Sequence, residues 1–382
     1  MNAKIFIAGA GGIGRAAGLI LAVSKEVDAE IIFGDVVESA CLESVQFIRD
    51  GYSQQAKVGY LVMPSSGTSE ALSSTLESCD FILDCLPGSQ APRLARIALQ
   101  HQCHYINLTE YVAETKEIKE MAKNADTAFV LQSGLAPGFI NILAHRLYEE
   151  FVQNYKVEIV DDMSMKVGAI SQHASSPHFY AFTWSPIGVA TEYMKDAEVV
   201  VNFEKKLVPA LSGTEQFIIG EQLFEDNYTS GGAADLPDYF QGKVRNLSYK
   251  TLRYPGHYDW VKDKIKSLKG TTDEIIQALE QQMLSNIPSV EDDLVIVYAS
   301  VQGKDMYGRL RKLEKSYKIY PSKVGNFTLR AIQTTTAAPM CEVVYMLMKY
   351  PRKGVILQSD ISTIDFLNGP FVSSVYGRFS SF

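Results

Sequence analysis

Two sets of residues carry the chemistry this sequence can offer. Near the start, Gly9, Gly11 and Gly14 take the glycine positions of G-x-G-x-x-G within residues 9–14, GAGGIG. The first glycine permits a tight strand-to-helix turn, and the second lets the backbone approach a pyrophosphate. The third lets helix and strand pack closely. Free N–H groups at the start of that helix would point at phosphate oxygens. Gly12 and Ile13, inside the same turn, complete the expected cradle. Asp35 ends the next apolar run, where an acid accepts hydrogen bonds from the adenosine ribose hydroxyls. Its charge would repel a 2′-phosphate, which favours NAD over NADP. The second set lies far downstream, in Lys250, Arg253 and His257, with Glu192 and Tyr193 before them. A guanidinium holds a carboxylate through two parallel hydrogen bonds, and an imidazole is a natural acid or base near neutral pH. A lysine can hold a second oxygen, or act as a base if burial lowers its pKa. Pro255 and Gly256 break regular structure, so these residues are expected at a strand end and loop.

The elements that must position the first set are legible as alternation. Lys4–Ala8 reads as a buried strand, and Ala16, Leu19, Ile20 and Val23 recur after the glycines at helical spacing. Strands are expected at 29–33, 57–63, 80–84, 104–107 and 128–131, with helices at 90–100 and 112–124 between the later ones. Such alternation predicts a doubly wound parallel sheet, whose ligands bind beyond the carboxyl ends of the strands. Leu86 and Pro87 after one strand, and Thr109 after the next, are therefore candidates for the nicotinamide-side wall. Pro137 suits the first turn of a helix over 138–151.

Beyond residue 155 the texture changes to short strand-like runs, at 164–169, 179–182, 198–203 and 293–301, joined by Gly, Pro and Ser turns. Thr271 and Glu274 form a capping box that opens a helix with Ile275, Ile276, Leu279 and Met283 on one face. The expected fold is α/β: a Rossmann domain over 1–134, then an α+β domain over 135–330 with a mainly antiparallel sheet. The last segment, 331–382, is helical again and is expected to pack back on the first domain.

Bulk properties exclude several classes. A net charge of −8 and the lack of a basic cluster argue against nucleic acid as a partner. The longest apolar stretches are interrupted too early to span a membrane. Five scattered cysteines with no C-x-x-C suit a reducing compartment, and a cytoplasmic protein is expected. No metal is expected, since His101 and His104 lack a companion cluster and His173 and His178 lack acidic or cysteine partners.

Several segments resemble the saccharopine dehydrogenase family, and L-lysine 6-dehydrogenases within it. They are GLAPGF at 134–139, Thr183–Tyr193, Val208–Gly213, Lys250–His257 and Ile332–Thr336, in family order along nearly the whole chain. Two departures stand out: residues 168–177 replace a glycine- and proline-rich segment, and Asn107 replaces a frequent acid. The resemblance implies a catalytic and dimerising sheet domain, a homodimer, and NAD(P)-linked oxidation at an amine-bearing carbon of a lysine-like small molecule. Under it, Arg253 and Lys250 anchor the substrate carboxylate, and His257 or Lys250 handles protons. Glu192 and Tyr193 meet the ammonium, while the turn 229–232 and Asp235 are weaker candidates for contact. Two other readings are a reductive condensation, as in carboxynorspermidine or saccharopine synthesis, and a regulatory dinucleotide-binding protein without catalysis.

Overall fold

Short apolar runs in the N-terminal third become strands, buried on both faces in the middle of the sheet, as a parallel sheet covered by helices requires, and half-exposed over Val58–Val62 at its edge. They are β1 (Asn2–Ala8), β2 (Asp28–Asp35), β3 (Val58–Val62), β4 (Phe81–Asp84), β5 (His104–Asn107) and β6 (Ala128–Val130). Between them run α1 (Gly12–Val23), α2 (Glu38–Gly51), α3 (Glu70–Leu76), α4 (Ala91–Gln100) and α5 (Val112–Ala122). The computed structural model describes residues 1–173 and 175–382.

The middle of the chain begins with α6 (Phe139–Tyr155), β7 (Val160–Ser171), α7 (Pro186–Met194), β8 (Ala197–Val201) and β9 (Glu204–Val208). It continues through β10 (Glu215–Ile219), β11 (Gln222–Tyr228), α8 (Leu236–Phe240), β12 (Val244–Arg253) and α9 (His257–Lys266). It closes with α10 (Thr272–Asn286), β13 (Asp293–Lys304) and β14 (Leu310–Ile319). These strands form one sheet in the order β10-β11-β12-β7-β13-β14, with β8 pairing both β12 and β9. Only the β12–β7 pair is parallel, so the sheet is mixed and mainly antiparallel.

The C-terminal part supplies a hairpin of β15 (Ser322–Val324) and β16 (Phe327–Leu329), then α11 (Ala331–Lys349), β17 (Gly354–Ile356), α12 (Thr363–Leu367) and α13 (Pro370–Tyr376). Strand β17 joins the first sheet beside β6, giving the all-parallel order β17-β6-β5-β4-β1-β2-β3. The first compact unit comprises Met1–Phe139, Ser322–Leu329 and Gln333–Phe379; the second comprises Ile140–Pro321, Arg330–Ile332 and Ser380–Phe382. The first unit's core includes Phe6, Ile82, Leu94, Tyr105 and Phe129. Its hairpin is fastened by the Phe47–Phe327 stack, with ring centroids 4.6 Å apart, and by Asn326 N–H on Gly51 O at 2.7 Å. The second unit's core includes Tyr180, Tyr193, Leu252, Tyr258, Leu279 and Met283.

Three local expectations are corrected. Pro137 is not in the first turn of a helix, because α6 starts at Phe139. Pro137 O accepts Gly134 N–H at 3.0 Å, Gly134 O accepts Phe139 N–H at 2.8 Å, and Gly138 sits at φ +133. The chain thus closes a tight loop that only a glycine at 138 tolerates. Residues 179–182 form no strand: Phe179 has φ +48, and Phe182 makes only an isolated bridge to Ser289. Their aromatic rings are spent on core packing rather than on a pleated surface. The run at 198–203 ends early, since Asn202 (φ 52) and Phe203 (φ 71) make the turn into β9. The capping box is present, with Thr271 and Glu274 bonded in both directions, though Ile275 is only half-buried.

Candidate functional site

In the first unit the glycine turn is built by steric exclusion. Gly9 has φ +103, and a Cβ on it would lie 2.8 Å from Cys85 O. A Cβ on Gly14 would lie 2.0 Å from Gly9 O, so the start of α1 can approach β1 only through a glycine. Gly11 is different: its φ of −82 suits any residue, and nothing lies within 4 Å of its would-be Cβ. Gly11 also caps α1 without a side-chain bond, and no acid occupies the first turn. The open space above Gly11 and the uncapped helix start fit a pyrophosphate, which needs close backbone and free N–H groups.

Asp35 ends β2 beside this turn. Its carboxylate accepts Ala10 N–H at 2.9 Å and Val37 N–H at 3.0 Å, so the acid also braces the loop. Each oxygen keeps a second lone pair for a ribose hydroxyl. Next to Asp35, Val36 and Val37 are exposed, and Glu38 accepts a hydrogen bond from Tyr60 Oη at 3.1 Å. The loops after β4 and β5 meet as well: a Cβ on Gly88 would lie 2.3 Å from Thr109 Oγ1. Leu86 N–H donates to Asp84 Oδ1 at 3.0 Å, Pro87 is exposed, and Thr109 Oγ1 accepts Tyr111 N–H at 3.2 Å. Burial pushes the Asp84 carboxyl up to about 6, against the bonds it accepts from Tyr105 Oη and Leu86 N–H.

Asn107 is not a ligand-facing departure. It is buried, its Oδ1 accepts Gln132 N–H at 2.8 Å, and its Nδ2 donates to Tyr105 Oη at 3.4 Å. The amide ties β5 to the β6 loop, a task needing both a donor and an acceptor. Sequence reasoning missed Gln333, whose Nε2 donates to Gly12 O at 3.0 Å from the N-terminal turn of α11. It also missed Arg15 and Ser44, which grip Ala10 O at 3.0 Å each. Nothing in the spacing marks Ser44 or Gln333, whose partners are main-chain atoms remote in sequence, while Arg15 reaches back only to Ala10 within the same turn.

In the second unit, Glu192, Tyr193, Arg253 and His257 converge in a buried cluster, with Glu192 and Tyr193 on α7. Arg253 Nε–H donates to Tyr193 Oη at 2.7 Å, and Tyr193 Oη lies 3.0 Å from His257 Nε2. His257 Nδ1 lies 2.7 Å from His178 O. A carbonyl only accepts, so Nδ1 carries the proton and Nε2 accepts from the tyrosine. The relay therefore has one direction: guanidinium to phenol to imidazole to carbonyl. The Arg253 guanidinium also lies 4.7 Å from the Tyr180 ring centroid. Nη1 donates to Leu252 O at 2.9 Å, while Nη2 has no partner among the described residues. Burial works against the Arg253 charge, but Tyr193, Tyr180, Tyr258 and Glu192 outweigh it and raise the pKa.

His257 does not titrate near neutrality. Burial, then the Arg253 charge, lowers its pKa to about 3 despite the His178 bond, so the ring is neutral at pH 7. It opens α9 rather than lying in a loop, and Glu225 holds that turn by accepting Gly256 N–H at 3.2 Å and Tyr258 N–H at 2.8 Å.

Lys250 does not join the cluster. Alternate residues of a strand face opposite sides, so the odd step from Lys250 to Arg253 separates them. The Lys250 ammonium donates to Glu215 at 2.6 Å and Gly213 O at 3.0 Å and forms an ion pair with Asp226 at 3.0 Å. Burial disfavours its charge, but Glu215 and then Asp226 raise its pKa, the wrong direction for a base. Asp226 also bonds Lys166. The turn at 229–232 is packed inward too, with Thr229 Oγ1 on Thr251 Oγ1 at 2.6 Å and Gly232 beneath the Tyr249 ring.

Sheet order and glycine turn define the first unit as Rossmann-type, paired in the chain with a mixed-sheet unit. Residues 5–132 match the model of the saccharopine dehydrogenase NADP binding domain, and residues 134–371 that of the saccharopine dehydrogenase C-terminal domain. The chain belongs to the saccharopine dehydrogenase family, a family of oxidoreductase type with an NAD(P)-binding domain. Curated relatives include mouse mitochondrial alpha-aminoadipic semialdehyde synthase, 27% identical over 157 residues, which are 39% of this chain and 16% of that protein. The Arabidopsis thaliana synthase is 24% identical over 166 residues, 43% of this chain and 15% of that protein. The matched stretches thus span only a small part of these relatives. Apo saccharopine dehydrogenase (L-Glu forming) from Saccharomyces cerevisiae shares the fold at a TM-score of 0.73 and 12% identity, covering 98% of each chain. Homospermidine synthase from Legionella pneumophila, in complex with NAD, has a TM-score of 0.66 and 14% identity, covering 100% of this chain and 93% of that one. No helix among the described residues is long and apolar enough to cross a membrane.

Proposed function

We propose that this chain is an NAD-dependent oxidoreductase acting on the CH–NH group of lysine or a lysine-derived amine, working as a cytoplasmic homodimer. The observation that carries the reading is Arg253: a buried guanidinium fixed at Nε and Nη1, with Nη2 left for a substrate carboxylate. Glu192 supplies the charge that attracts an ammonium. Bound NAD would supply the hydride acceptor, held along Gly9, Gly11, Gly12, Ile13 and Gly14, with its ribose on Asp35 and its nicotinamide side near Leu86, Pro87 and Thr109. Tyr193 orients the amine nitrogen through its hydroxyl. Neutral His257 holds the tyrosine proton at Nε2 and keeps the phenol oxygen's free lone pair turned to the substrate.

Reductive condensation of an amine with an aldehyde is the second reading, favoured by the likeness to homospermidine synthase. Purified protein with NAD or NADP should form reduced nicotinamide with lysine, saccharopine or a related amine. Turnover only in the reductive direction, with amine, aldehyde and NADH, would select the second reading. NADH binding with no turnover in either direction would overturn both and leave a regulatory role.

A further inference from the structure

Arg15 sits one residue past the last glycine of the turn, where a cation invites assignment as a phosphate ligand. Its contacts point elsewhere. Nε–H is shared between Ala10 O and Ser44 Oγ, each at 3.0 Å. Nη2 reaches Glu43 at 2.8 Å and Ala40 O at 3.5 Å, so the charge is already countered on α2. Ser44 is fully buried on α2, and its Oγ lies 3.0 Å from Ala10 O and 2.7 Å from Ala40 O. The Ala10 amide is held from the other side, its N–H donating to Asp35 Oδ2 at 2.9 Å. The one residue between Gly9 and Gly11 is therefore gripped by side chains at both its N–H and its C=O, in the two peptide units that flank its Cα. Glycine neighbours cannot hold that residue themselves, because glycine restricts φ and ψ least.

We propose that Arg15 and Ser44 are positioning residues for the dinucleotide: they lock the Ala10 peptide so that the glycine turn is already shaped for the pyrophosphate. This rests on the dinucleotide reading above. The arrangement uses the fork of arginine, whose Nε–H bridges two acceptors while Nη2 meets a third and a fourth. A lysine of equal charge has no such planar fork. A locked turn loses less freedom when the ligand arrives, so breaking the lock weakens binding without touching the ligand.

The test is calorimetric titration of the full chain with NADH, alongside its thermal midpoint without ligand. Arg15→Ala should raise Kd by about tenfold and Ser44→Ala by about threefold, the loss expected for one charge-assisted and one neutral hydrogen bond. Arg15→Lys should not restore binding. Recovery with lysine would overturn the proposal in favour of a simple phosphate-attracting charge. Unchanged Kd in both alanine variants, with only a lowered midpoint, would overturn it in favour of a purely structural role. If Arg15→Ala fails to fold, Ser44→Ala decides alone, since it removes a contact to the same carbonyl. Failure of the wild-type chain to bind NADH would instead refute the dinucleotide reading itself.

Discussion

The glycine turn of the first unit and the arginine cluster of the second are both polar constructions, yet they are made by opposite means. The turn is made of backbone: Gly9 and Gly14 leave no room for a Cβ, and a helix end supplies uncapped N–H groups. The cluster is made of side chains whose donors and acceptors run in one direction from Arg253 to His178 O. A backbone site is limited by the room left for added atoms, and side chains act on it only by gripping its main chain, as Arg15, Ser44 and Gln333 do. A side-chain site depends on every member, because each fixes the proton position of the next.

That contrast breaks most sharply at two glycines. Gly14→Ala should abolish NADH binding and lower the thermal midpoint, since its Cβ meets the Gly9 carbonyl at 2.0 Å. Gly11→Ala should leave the midpoint unchanged, having open space and an ordinary φ, while weakening NADH binding by about a hundredfold. Titration calorimetry with differential scanning separates the two outcomes, and equal midpoints would remove the steric distinction. In the cluster, Arg253→Ala should raise KM for the amine by about a hundredfold, with Kd for NADH within about twofold. Equal losses in both would show that the arginine is not a substrate anchor.

Lys250→Met sharpens the comparison within one strand. It breaks a buried ion pair and should lower stability by about 2 kcal/mol, below the range for fully buried pairs because Glu215 is largely exposed. Steady-state KM for the amine should not change, and a large rise would return Lys250 to the site. The cluster can also be tested through the pH response of His257. Its folded pKa of about 3 lies below the unfolded value, so the unfolded chain binds the extra proton between roughly pH 6.5 and 3. Stability contributed by the neutral ring is present above that window and is lost as pH falls through it. His257→Gln should flatten the slope of chemical-denaturation stability over the same interval, and an unaltered slope would refute a neutral buried ring.

The sequence by itself determined the parts governed by local rules. Glycine spacing, strand–helix alternation and the acid at Asp35 announce a Rossmann sheet, because each depends on neighbours within one βαβ unit. The capping box at Thr271 and Glu274 is legible for the same reason. The clustering of Glu192, Tyr193, Arg253 and His257 was suggested only by family likeness, since α7, β12 and α9 meet through tertiary packing. Strand parity turns Lys250 away from Arg253 once one strand runs through both, whereas tertiary structure alone decided that Asn107 serves the sheet and that Ser44 and Gln333 serve the glycine turn. A composition run such as 179–182 misled for a related reason: buried aromatics look alike whether they line a strand or fill a core. Residue type sets what a side chain can bond, but pleat and packing choose which partner it meets, and those partners lie far away along the chain.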